Sequence, residues 1–196
     1  PYQEGPGAYL LKRGITAEVQ RQLGFRFGKN SVVIPWRRPD GRLANVKYRL
    51  TNSKTFWYER GAAPISSLLW GLDVIRHRGS TTAVFSEAEL DGASWVVAGY
   101  PAIANGGVAF NAKKRDLILR SPIEELIIAT DNDKAGEKLR TEVERSLRGY
   151  VRIKHAYVGG GAKDANEALV KFGAEALVSA AERASPVRNF TYFSTR

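Results

Sequence analysis

Hydrophobic and polar positions change rhythm near residue 80. Residues 8–24 (AYLLKRGITAEVQRQLG) carry apolar positions at helical spacing, as one helix or two short ones broken near Gly14, with Gly24 as a stop. Two β-like runs follow, 31–36 (SVVIPW) and 43–50 (LANVKYRL), and Arg38-Pro39-Asp40-Gly41 between them is a hairpin signal. Residues 51–58 predict a third strand, and 66–77 (SSLLWGLDVIRH) a helix that ends before Gly79. Beyond residue 81, short continuous apolar runs alternate with helical patterns. Strands are expected at 82–86, 102–104, 126–130 and 151–158, and helices at 91–98, 112–119, 134–148 and 166–183. Within 134–148 the stripe Ala135, Leu139, Val143, Leu147 marks the buried face. Buried strands separated by helices need crossover connections, so the second part should be a mainly parallel sheet flanked by helices. The expected layout is an α/β domain at 81–185, preceded by a smaller α+β subdomain at 1–80 and followed by a tail or linker at 186–196.

Composition narrows the chemistry. Hydrophobic residues at 43% and charged residues at 26% exclude a wholly disordered chain of 196 residues. With no Cys there are no disulfides, thiol nucleophiles, zinc ribbons or Cys-ligated clusters, and His77 and His155 alone do not make a His-rich zinc site. No apolar run approaches the roughly 20 residues of a membrane span, and no signal-peptide pattern opens the chain, which predicts a soluble intracellular protein. The net charge of +10 is one-sided: residues 1–80 hold 14 Lys+Arg against 5 Asp+Glu, whereas 81–196 are nearly balanced. A basic half is the footprint expected for a polyanion, with a merely solvated face as the alternative. Within it, cations alternate with Trp36, Tyr48, Phe56, Trp57 and Tyr58, a pattern suited to single-stranded nucleic acid, where charges follow phosphates and rings stack on bases. Arg42, Lys47, Arg49, Lys54 and Arg60 are the candidate nucleic-acid or nucleotide contacts; Lys47 and Arg49 share one face of their strand. Trp36 and Trp57 are assigned to the core, and Lys113, Lys114 and Arg115 to a solvated helix face.

Acidic residues of the second half gather after its strands. Glu87-Ala88-Glu89-Leu90-Asp91 follows the first, Asp131-Asn132-Asp133 the third, and Lys163-Asp164-Ala165-Asn166-Glu167 comes after the fourth. In an open parallel sheet the C-terminal strand edge is where sites assemble, so Glu87, Asp91, Asp131, Asp133 and Asp164 should meet there. Carboxylates without His or Cys suit a hard, oxygen-preferring cation, Mg²⁺ or Mn²⁺. The competing assignment is structural: Asp133 and Asp164 are good helix caps, and Asp164-x-x-Glu167 has capping-box spacing.

These segments resemble the motifs of a known family. Ser86 to Asp91 resembles the glutamate motif of Toprim domains, with Ala88 where the family has glycine. Ile128-Ala129-Thr130-Asp131-Asn132-Asp133-Lys134-Ala135-Gly136 is similar to their Asp-x-Asp motif in the form found in bacterial and phage primases. Lys163 to Glu167 resembles the third acidic motif of primase-helicases such as that of phage T7. Tyr9 to Ile15, Pro35 to Arg42 and Lys47-Tyr48-Arg49 are similar to the basic N-terminal subdomain of the primase catalytic core. The resemblance, over about residues 8–180, is to the Toprim-containing catalytic core of DnaG-type DNA primases. It implies metal-dependent synthesis of short RNA primers on single-stranded DNA during replication, in the cytoplasm of a bacterial or phage-infected cell. Glu87, Asp131 and Asp133 would be catalytic, and Asp91 and Asp164 would join them around Mg²⁺ or Mn²⁺. The implied partners are a single-stranded DNA template, ribonucleoside triphosphates, a replicative helicase and a zinc-binding domain, which a chain without Cys does not contain. No P-loop motif (Gly-x-x-x-x-Gly-Lys-Ser/Thr) occurs, so helicase activity is not expected of these residues. The alternatives are a Toprim nuclease using the same carboxylates, and a non-catalytic single-strand-binding module of the replisome.

Overall fold

The structure, a computed structural model, describes residues 2–187. The basic part opens with two short helices, α1 (Ala8–Lys12) and α2 (Ala17–Gln22), broken at Gly14, whose φ of +76° a side-chain-bearing residue rarely adopts. Thr16 caps α2 by accepting from the Val19 N–H. A four-stranded antiparallel sheet follows in the order β1 (Arg26–Gly28), β2 (Ser31–Arg37), β3 (Leu43–Leu50), β4 (Phe56–Tyr58). β1 is too short to leave a periodic trace. The expected strand over 51–58 is confined to β4, because Thr51–Lys54 form the turn.

The expected helix over 66–77 divides. A 3-10 turn at Ile65–Ser67 leads to Trp70, which bridges Ala104, and the helix α3 covers only Leu72–Arg78. Gly71, at φ +82°, makes the corner between them. The second sheet has the order β6-β5-β7-β8-β9, from β5 (Thr82–Ser86), β6 (Ala102–Ala104), β7 (Glu125–Ile128), β8 (Arg152–His155) and β9 (Ser185–Pro186). The first four strands are parallel; β9 is an antiparallel edge on β8. Pro186, read from sequence as the first residue of a tail, therefore belongs to the sheet, and 188–196 lie outside the described residues.

The connecting helices are α4 (Glu89–Val97), α5 (Ala112–Leu119), α6 (Lys134–Leu147), α7 (Ala165–Phe172) and α8 (Ala174–Glu182). The last two replace the single helix expected at 166–183: Gly173, at φ +78°, breaks a run whose apolar spacing continues through it. Alternation along the buried strands sorts the core into two layers. Val84 and Ile127 face α4, α7 and α8, in a cluster that runs on into Leu10, Val32, Ile34 and Trp36 of the basic part. Ala83, Phe85, Leu126 and Ile128 face the other way, onto α3, α5 and α6. The two parts thus share one apolar core, which fixes the basic sheet against the parallel one. Among the described residues no helix is long and apolar enough to cross a membrane.

Candidate nucleotide and metal site

The acidic residues emerge where β5, β7 and β8 end, and local structure decides what each carboxylate can do. Asp133 is the N-cap of α6, accepting from the Gly136 N–H at 2.9 Å. Asp164 caps α7, accepting from the Glu167 N–H at 2.7 Å, and Glu167 in turn accepts from the Lys163 N–H at 2.7 Å. Both caps are real, and both aspartates keep a second oxygen for other work. Asn132 ties the loops together: its N–H donates to the Lys163 carbonyl at 2.7 Å, and its side-chain amide donates to Val158 and Ala162 at 3.0 and 2.9 Å.

The charges are coupled. Burial pushes the Asp131 carboxyl up to about 7, with Glu87 and Asp164 adding like-charge repulsion. Asp91, in the first turn of α4, is buried and pushed up to about 8, by burial first and then by Asp164 and Asp131. Glu87 is raised by burial and by Asp133, and its Oε2 is buried with no hydrogen-bond partner. Asp133 is held below the usual range by the Gly136 N–H. The five predicted carboxylates therefore do come to one strand edge. They line it rather than enclose one point: among the described residues no three His, Cys, Asp or Glu side chains form a ready cage for an ion. Their chemistry still fits a hard divalent cation, being all oxygen, mutually repelling, and including an unpartnered buried oxygen on Glu87. Ala88 does not distort this arrangement, since its φ of −122° and ψ of 162° are extended backbone open to any residue.

The basic part approaches the same edge through the predicted Arg49 and through Tyr9 and Arg13, to which the sequence reading gave no role. Arg13 Nη1 donates to Asn166 Oδ1 at 3.0 Å, and the Asn166 N–H donates to Asp91 at 3.0 Å. The Asn166 side-chain amide donates to the Arg13 carbonyl and to Ser94 Oγ, both at 2.9 Å. Arg49 joins through the Tyr9 hydroxyl, which accepts from Arg49 Nε at 3.4 Å and from Arg13 Nη2 at 3.3 Å. Burial would raise the Tyr9 hydroxyl, but the two guanidinium groups outweigh it and lower its pKa. Lys54 is exposed in the turn at the Arg49 end of β3.

Within the basic part, Lys47 as a phosphate contact and Trp57 as a core residue need correction. Lys47 shares the face of Arg49, but its ammonium is 2.8 Å from Glu89 and lies over the Phe56 ring, with the residue only 6% exposed. It is an internal ion pair, closed to phosphate. Arg42 is exposed and paired with Asp40 at the far end of β3, about 23 Å from Arg49 at strand rise. Trp57, assigned to the core, lies on the outer face of β4 and stacks on Tyr48 with ring centroids 5.6 Å apart; Trp36 is buried as expected. Arg60 is exposed beyond β4, away from the Arg49 end.

Buried charged residues under the edge were also invisible in sequence. Glu89 accepts from Trp36 Nε1 at 3.0 Å as well as from Lys47, which joins the antiparallel sheet to the start of α4. Arg140 donates to the carbonyls of Ile128, Thr130 and Ala156 at the ends of β7 and β8. Lys114, expected on a solvated face, is fully buried with its ammonium on the Asn105 carbonyl and side chain. Asn105 and Gly106 donate their N–H groups to Ser86 and Glu87, so Lys114 braces the backbone that carries Glu87.

Residues 84–169 match the family model described as Toprim-like. No curated protein matches the chain in sequence. Among solved structures, the zinc-binding and RNA polymerase domains of Aquifex aeolicus primase are 20% identical with a TM-score of 0.76. That match covers 91% of this chain and 55% of the other, so the chain spans little more than half of that protein's length. A DnaG primase catalytic domain bound to single-stranded DNA gives 18% and 0.76, covering 91% and 71%. The primase fragment of the bacteriophage T7 primase-helicase gives 23% and 0.73, covering 91% and 73%. The fold is that of primase catalytic cores.

Proposed function

We propose that this chain, whose residues 84–169 match the Toprim-like family model, is the catalytic core of a DNA primase that joins ribonucleotides on a single-stranded DNA template. The observation that carries this is the meeting of three coupled acidic loops with Arg13 and Arg49 of the basic part at one strand edge. Glu87, Asp131 and Asp133 would hold Mg²⁺ or Mn²⁺, with Asp164 beside them and Asp91 behind. When bound, such a cation supplies charge neutralisation at nucleotide phosphates and orients the attacking 3′-hydroxyl.

The chain's own residues do the rest. Asn132 and the two aspartate caps hold the carboxylates at fixed positions, so little reorganisation is needed when charge develops. Arg13, Arg49 and Lys54 present cations on the side from which a nucleotide or template strand must come. A DnaG catalytic domain that matches in fold was solved bound to single-stranded DNA, which supports a single-stranded partner. A single-stranded template, ribonucleoside triphosphates, a replicative helicase and a zinc-binding domain outside these residues are the partners this function needs, in the cytoplasm of a bacterial or phage-infected cell. The deciding experiment incubates the chain with labelled ribonucleotides, single-stranded DNA and Mg²⁺ or Mn²⁺, with supercoiled plasmid in parallel. Short RNA products without nicking support the proposal; metal-dependent nicking without synthesis would assign the carboxylates to a nuclease.

A further inference from the structure

The acidic edge carries one cation of its own. Lys163 Nζ lies 3.5 Å from an Asp133 oxygen and 3.8 Å from an Asp131 oxygen. Among the described residues no other Lys or Arg forms an ion pair with Glu87, Asp91, Asp131, Asp133 or Asp164. Its backbone is fixed from both sides: the carbonyl accepts from the Asn132 N–H and the N–H donates to Glu167, each at 2.7 Å. The side chain is 58% exposed. A pinned main chain with a long, free side chain places an ammonium between two loops and lets it leave without disturbing them.

We propose that Lys163 is the resident counter-cation of the acidic edge: it neutralises Asp131 and Asp133 in the metal-free protein, and an entering divalent cation must displace its ammonium. This rests on the metal-dependent function proposed above. The carboxylates repel one another, and the ammonium relieves part of that repulsion at the two positions a metal would need. Lys163 therefore sets metal affinity by competition, in contrast to a residue that helps bind the metal. Each partly exposed pair shifts an equilibrium only a few-fold, because water screens it. Losing both should tighten divalent binding roughly three- to tenfold.

The test is calorimetric titration of Mn²⁺ alone into the full chain, as wild type, K163Q, K163A and K163R, with thermal melts as a control on folding. The bonds that pin residue 163 are main-chain bonds, so the melts should coincide. K163Q and K163A should both bind Mn²⁺ more tightly than wild type, and K163R within about twofold of it. Equal or weaker binding by folded K163Q and K163A, alongside clear binding by wild type, would overturn the role of Lys163 and leave the metal site standing. Absence of Mn²⁺ binding by wild type would overturn both.

Discussion

Gly136 is where the acidic loop and its helix touch, and replacing it with alanine should damage both stability and activity. Its backbone is helical, so an alanine would adopt it without strain, and at an ordinary helical position the change would stabilise by about 1 kcal/mol. Here a Cβ would stand 2.8 Å from the Asp131 carbonyl carbon and 2.9 Å from its nitrogen, and nearer still to its oxygen. Those are main-chain atoms, and no rotamer change relieves the contact. The Gly136 N–H is also bound by Asp133 at 2.9 Å, and its carbonyl accepts from Thr130 Oγ1 at 2.8 Å, so the turn cannot slide freely. Overpacking costs about 1–3 kcal/mol, and a contact with main-chain atoms belongs at the upper end, about 2–3 kcal/mol, which exceeds the propensity gain. The net loss should be about 1–2 kcal/mol, a fall of roughly 2–8 °C in Tm for a chain of this size. The loop carrying Asp131 and Asp133 must move by a sizeable fraction of an ångström, and misplacement of about 1 Å costs on the order of 100-fold in rate. Urea unfolding and primer synthesis on G136A measure the two effects. A variant as stable as the parent, with full synthesis, would refute the contact and the reasoning built on it.

Glu89→Ala should cost about 3–5 kcal/mol in urea unfolding, because it strands the buried Lys47, whereas the double change Glu89→Leu with Lys47→Met should recover part of the loss, the Trp36 indole N–H staying unpaired; additive losses would contradict the ion pair. Burial lowers Lys114 to about 8 from 10.5, with Glu89 pulling the other way. Between about pH 8 and 10.5 the unfolded chain then binds the extra proton, so wild type should gain stability over Lys114→Met as pH rises through that window; a pH-independent difference would count against the buried charge. Lys54→Ala should weaken single-stranded DNA binding on every sequence and reduce the salt slope by about one, with Glu87→Gln leaving the slope unchanged; a flat salt response in wild type would remove phosphate contacts from the account.

What sequence could convey depended on whether the determining contact was local. The loops at Glu87 and Asp131 were legible because β5 and β7 are short apolar runs that end one and three residues before them, whereas Asp164, nine residues past β8 (Arg152–His155), was legible through its capping spacing. The caps at Asp133 and Asp164 were legible because a cap is a three-residue interaction. Period-two alternation correctly placed Lys47 and Arg49 on one face, but depth on that face depends on Glu89, 42 residues away in sequence. Arg140 and Lys114 follow the same rule: a charged side chain looks solvated until a distant strand end or loop supplies its acceptors. Gly71 and Gly173 broke helices whose apolar spacing was continuous, since a positive φ leaves no mark on hydrophobic periodicity.

The most direct test of the central claim is primer synthesis by Asp133→Asn. Asparagine caps a helix about as well as aspartate, so α6 should keep its first turn and the Tm should hardly change, while the carboxylate charge next to Asp131 is lost. Asp133→Asn should give a folded protein that still binds single-stranded DNA and makes no RNA primer at any Mg²⁺ or Mn²⁺ concentration. Near wild-type synthesis by that folded variant, with unchanged metal dependence, would contradict the central claim.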